Sequence, residues 1–163
     1  MELQEIYKQA TENNICKEWR EKMKADLSFK NLCEMYFDGD DWSMEKDFPN
    51  VETLRNFKGK TEAHGLFTDY SGMPNIMSKM AFFGHSDVKL NYDGFSVSQL
   101  ILRHKTKAKI TASDNAIVII NILDNAEVEI EAIENSRVEV FSYGNSNIKH
   151  TGDVRITKSS FKK

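Results

Sequence analysis

The chain has 163 residues, 40% hydrophobic and 29% charged, with a net charge of −3 at pH 7. That is the balance of a folded chain of one domain or two small ones, and not of a disordered one. Mean hydropathy is −0.53, no window offers the roughly 18 apolar residues of a membrane helix, and the slight acidity is wrong for a polyanion binder. Neither a membrane nor nucleic acid is therefore an expected partner.

The first ten residues, MELQEIYKQA, are polar and acidic and lack the apolar stretch of a secretion signal, so a cytoplasmic protein in a bacterial or host cell is expected. Leu3, Ile6, Tyr7 and Ala10 recur at helical spacing until Asn13-Asn14 breaks the run. Ile15, Trp19 and Met23 form a second stripe, and a third helix is predicted from Ser28, whose hydroxyl suits an N-cap. Asp47-Phe48-Pro49-Asn50 reads as a turn, with Asn50 capping a short helix that carries Leu54 and Phe57 and ends at Gly59. Residues 1–60 thus form a helical subdomain, followed by a connector over 61–74.

Within the helical part, Phe37-Asp38-Gly39-Asp40-Asp41-Trp42 crowds carboxylates as a calcium loop does. Counting Asp38 as the first position puts Ser43 where an EF-hand needs its glycine, so a solvated acidic turn is the reading. Cys16 and Cys33 lack CxxC spacing and read as buried free thiols. No cofactor and no metal site are expected.

From residue 75 a ten-residue repeat takes over. SDNA, LDNA, IENS and YGNS recur with their asparagines at Asn115, Asn125, Asn135 and Asn145. Three, five and seven places after each asparagine stand mostly apolar residues: Val118, Ile120 and Ile122, then Val128, Ile130 and Ala132. The same phase extends back through Val88, Leu90 and Tyr92 to Met80 and Phe82. Alternation over six residues is strand periodicity, and a unit this short is satisfied by stacked parallel coils. The predicted fold over 75–163 is a short parallel β-solenoid with two decapeptides per coil and about four coils, closed by a C-terminal capping strand. The fold class is mainly β with an α-helical N-terminal part. Asparagine ladders are expected at the turns, and Lys158 to Lys163 read as a solvated basic tail.

The outward positions differ between the two sides. One presents Lys107 and Lys109 beside Glu127, Glu129 and Glu131, a wet face of favourable cross-strand pairs. The other presents Met77, Val97, Ile101, Ile117, Ile119 and Phe141, too much apolar surface to leave in water. Either the N-terminal helices or a second chain should cover it, and these six are the interface candidates.

The repeats DNAIVIINIL, DNAEVEIEAI and ENSRVEVFSY resemble the decapeptide tracts of uncharacterised β-solenoid proteins of Bacteroidetes and their phages, as do the helical segments NNICKEW and DFPNVETLRNFKG. His85, Phe95 and Lys105 depart from the pattern by replacing asparagine. The resemblance implies a fold and carries no active residues.

His64, His85, His104 and His150 show no metal spacing, and His150 takes an inward position as a core histidine. GxSxG, phosphate-loop and HExxH motifs are absent, and the ten-residue period does not match hexapeptide acyltransferases. No catalytic residue is assigned. The expected function is a non-enzymatic structural or protein-interaction module of the kind a phage or other mobile element encodes, with a protein partner or self-association as a homo-oligomer. The alternative is a carbohydrate-binding or carbohydrate-active protein using the outer face with Glu127, Glu129 and Glu131.

Overall fold

A computed structural model describes residues 1–161, and the chain divides into two compact units, residues 1–64 and 65–163. Lys162 and Lys163, the end of the expected basic tail, lie outside the described residues.

The first unit holds α1 (Leu3–Glu12), α2 (Lys17–Ala25), α3 (Phe29–Asp38), α4 (Asp40–Lys46) and α5 (Val51–Asn56), then a 3-10 turn over Glu62–His64. Two caps stand where the sequence puts them. Ser28 Oγ accepts the Asn31 N–H at 3.2 Å, and Asn50 Oδ1 accepts the Thr53 N–H at 2.9 Å, each relieving an amide the first turn leaves open. Ile6, Ala10, Met23, Met35, Phe48 and Phe57 form the buried core of this unit. Each of these side chains larger than Ala10 contributes about 1.5–3 kcal/mol when fully buried.

Two expectations are corrected here. The acidic stretch after Phe37 is a helix junction: Gly39 ends α3, and Asp40 and Asp41 open α4, where carboxylates suit the positive helix end. Cys33 is buried but Cys16, at the N-cap of α2, is exposed.

The second unit is a parallel β-solenoid. Its strands are β1 (Leu66–Thr68), β2 (Ser71–Gly72), β3 (Lys79–Phe83), β4 (Asp87–Tyr92), β5 (Val97–Leu102), β6 (Lys107–Ala112), β7 (Ile117–Ile122), β8 (Glu127–Ala132), β9 (Arg137–Ser142), β10 (Asn147–Thr151) and β11 (Val154–Lys158). Odd strands make one sheet in the order β1-β3-β5-β7-β9-β11, and even strands make the other, β10-β8-β6-β4-β2. Every pairing is parallel, and in the regular coils each residue pairs with the one twenty places on, as Asp87 with Lys107 and Val97 with Ile117. Two decapeptides therefore make one coil. The inward residues meet in a single core running from Phe67 and Phe82 through Leu90, Leu100, Ile110, Ile120 and Ile130 to Val140.

The end coils are shorter than the repeat. Leu66 pairs with Ala81 and Ser71 with Asp87, so the solenoid begins inside the stretch expected to be a connector over 61–74. At the other end Val154 pairs with Val138, which makes β11 the expected terminal strand. His150 does occupy an inward register position opposite Ile130, but on the last strand of its sheet it is exposed, not a core histidine. The tail is not wholly solvated either, since the Phe161 ring stacks on Tyr143 at 4.5 Å.

The turns differ from the expected asparagine ladder. The left-handed residue is the one before the asparagine position: Gly84, Gly94, His104, Asp114, Asp124 and Glu134 all have positive φ. Among the described residues no side-chain hydrogen bond joins Asn115 to Asn135 or Asn125 to Asn145. The rungs are instead backbone and carboxylate: Asn135 N–H donates to Asp114 O at 2.9 Å, and the Gly94 N–H donates to Asp114 Oδ2 at 2.9 Å. His104 plays the same part through Nδ1, which accepts the Gly84 N–H at 3.1 Å. The small residue that follows tucks inward, and in Ser86, Ser96 and Ser136 its hydroxyl donates to the carbonyl three places back.

Candidate functional site

Strand alternation decides which side chains leave the solenoid, and the start of each odd strand decides how far they emerge. β5 and β7 are in register, so Val97 stands beside Ile117. Arg137 continues the column on β9, and Met77 precedes β3 at the same level. Val97 is 63% exposed and Ile117 38%. Two residues before Val97, at the tip of a turn, Phe95 is 91% exposed. Ile133 lies in the turn entering β9 and is also exposed. Phe95, Val97 and Ile117 thus form an apolar edge where β5 and β7 begin.

The six interface candidates therefore separate. Val97 and Ile117 are exposed, Met77, Ile119 and Phe141 are half-buried, and Ile101 is fully buried. Burial deepens along β3, β5 and β7: Ala81, Ile101 and Asn121 all hold the third outward position and all are buried. Phe95 is not among the six because it breaks the repeat, yet a large aromatic at a turn tip has no inward register to occupy.

The even strands present a different surface. Lys107, Lys109, Glu127, Glu129 and Glu131 are all exposed, as the alternation predicts. Lys107 pairs in register with Glu127 and Lys109 with Glu129, and the Lys109 Nζ to Glu129 Oε2 distance is 3.9 Å. Exposed pairs of this kind contribute at most about 1 kcal/mol. Lys89, Lys149 and Asp87 complete a grid with four charges of each sign, over shallow hollows of about 250 and 610 Å³. No aromatic side chain stands among its outward residues.

Ionisable groups with altered acidity lie elsewhere. Burial pushes the Cys33 thiol up to about 12, with Glu34 and Glu62 acting in the same direction. Burial likewise raises the phenol of Tyr92, whose hydroxyl is enclosed in the solenoid core and has no hydrogen-bond partner among the described residues. Among the described residues no group of three or more His, Cys, Asp or Glu side chains is arranged to hold a metal ion, and no helix is long and apolar enough to cross a membrane.

No family model, curated protein or solved structure matches the chain.

Proposed function

We propose that the chain is a non-enzymatic protein-interaction module that docks another protein along the apolar edge of its solenoid. The observation that carries this reading is Phe95, 91% exposed beside Val97 at 63%. An aromatic anchor with aliphatic neighbours is the composition of an interface centre, where a few residues supply most of the binding energy. The stacked coils hold these side chains at fixed spacing, so little ordering cost falls on this partner. The resemblance of the repeats to proteins of Bacteroidetes and their phages fits a module of this kind carried by a mobile element.

The carbohydrate reading has less support. A glycosidase needs one carboxylic acid shielded from water, and Glu127, Glu129 and Glu131 are all exposed. The face also lacks an aromatic ring on which a sugar could stack.

The test places a photo-crosslinking phenylalanine analogue at position 95 and expresses the full chain in its source cell. A discrete protein adduct that disappears on adding Val97→Asp is the expected result, and an adduct of the chain with itself identifies a second copy as the partner. No adduct, or one indifferent to Val97→Asp, overturns the reading. So does polysaccharide turnover that is lost when Glu127, Glu129 and Glu131 are changed to Gln.

A further inference from the structure

The helical unit carries a partly open cavity of about 280 Å³. A concave, mostly apolar cleft with a few polar groups is the usual form of a small-molecule site. Every residue that walls it lies between positions 6 and 49. Ile6, Met23, Met35 and Phe48 form its buried wall, and the exposed Asn14 and Cys16 stand at its rim.

Its chemistry is uniform. No lining side chain is charged, and both tryptophans of the chain, Trp19 and Trp42, face it. Each indole is held by a neighbour. Lys22 Nζ sits 4.9 Å from the Trp19 ring while pairing with Asp38 at 3.5 Å, and Trp42 packs on Phe48 at 5.3 Å. Met23 and Met35 add flexible, polarisable walls that adjust to an occupant's outline. Ser43 supplies one hydroxyl.

We propose that this cavity is a binding site for a small, neutral, flat molecule of one or two rings. Volume sets the size: an apolar cavity of about 150 Å³ takes up benzene, and this one is nearly twice as large. The lining sets the charge, because an ion moved here would lose its hydration with no opposite charge to meet it. Two indole walls favour an aromatic occupant, which they meet edge-on or offset. One polar group on the ligand is accommodated, since Asn14, Tyr36 and Ser43 are among the lining residues. This site is independent of the apolar edge of the solenoid.

The probes are indole by titration calorimetry and iodobenzene by heavy-atom quenching of tryptophan emission, with indole-3-acetate as the charged counterpart. All are run on the full chain. Indole should saturate one-to-one and raise Tm, iodobenzene should quench both tryptophans saturably, and indole-3-acetate should bind at least about tenfold more weakly. Ser43→Leu fills the cavity and should cut indole affinity at least about tenfold with the circular dichroism of the chain preserved. Gly39→Ala is the milder companion, because Gly39 has φ −112° and an added Cβ meets the Trp19 ring at 3.7 Å. If Ser43→Leu does not fold, Gly39→Ala decides. Absence of saturable indole binding by the unmodified chain, undiminished binding by the folded variants, or equal binding of indole-3-acetate overturns the proposal.

Discussion

Asp124 Oδ2 accepts the backbone N–H of His104 at 2.9 Å, one coil back along the chain, and the same oxygen lies 3.1 Å from Arg103 Nε. Arg103 is buried, so this carboxylate satisfies both a turn amide and an enclosed guanidinium. Asp114 does half of this: its Oδ2 accepts the Gly94 N–H alone. Asp124→Ala should therefore cost about 2–3 kcal/mol and Asp114→Ala about 1 kcal/mol. Urea unfolding at unchanged m-value measures both, and an equal cost would refute the doubled role of Asp124.

Gly152 is required by space as well as by conformation. It has φ +86°, and a Cβ added there would come within 1.8 Å of the Ala132 carbonyl oxygen. Backbone cannot yield as a flexible side chain does. Gly152→Ala should release the turn between β10 and β11 and unpair Val154–Lys158 from β9. Amide hydrogen exchange should then accelerate across Val154–Lys158, while β5 and β7 stay protected.

Two outward residues of β5 should respond oppositely to charge. Ile101 is fully buried and Val97 is 63% exposed. Ile101→Asp buries a carboxylate without a partner and should cost at least about 3 kcal/mol, whereas Val97→Asp should stay within about 0.5 kcal/mol. Thermal unfolding of the two variants checks this.

The two cysteines should differ sharply in reactivity. Cys16 is exposed, and burial holds the Cys33 thiol near 12 against an ordinary value of 9.0. At pH 8 a thiol-specific chromogenic reagent should consume one thiol per chain quickly and the second only after guanidinium unfolding. The raised value also fixes a sign. The folded state holds this proton more tightly than the unfolded state, so its contribution is complete below pH 9 and is lost as pH rises toward about 12. Cys33→Ala should flatten that part of the stability profile.

Alternation made β4 through β10 legible, because every inward residue from Val88 to Ile148 keeps one ten-residue phase. β1 and β2 escaped because their coil is shorter than the repeat, so Leu66 and Phe67 fall outside its phase. α4 escaped because Asp38-Gly39-Asp40-Asp41 carries turn residues, and only the chain's course through Gly39 reveals two helices meeting there. The turns lie where the asparagines mark them, and the left-handed residue is the one before the asparagine position. Asparagine is the usual occupant of that conformation, yet here Asp114, Asp124 and Glu134 hold it. Periodicity also gives the side on which a residue emerges and not its depth, so Val97 and Ile101 looked alike. The tryptophan-lined cavity left no trace in the pattern, since Trp19 stands on an apolar helical stripe and Trp42 at the end of an acidic stretch.

The constant twenty-residue offset between paired strands has a kinetic meaning. Closing any one regular coil carries the same loop entropy as closing any other, and the price of longer loops grows only logarithmically. No coil is therefore privileged as a nucleus by chain length alone. Once one coil has formed, its neighbours add by local zippering, as in other one-dimensional arrays. What distinguishes one regular coil from another is then its interior side chains, such as the column Leu100, Ile120 and Val140 shared by β5, β7 and β9.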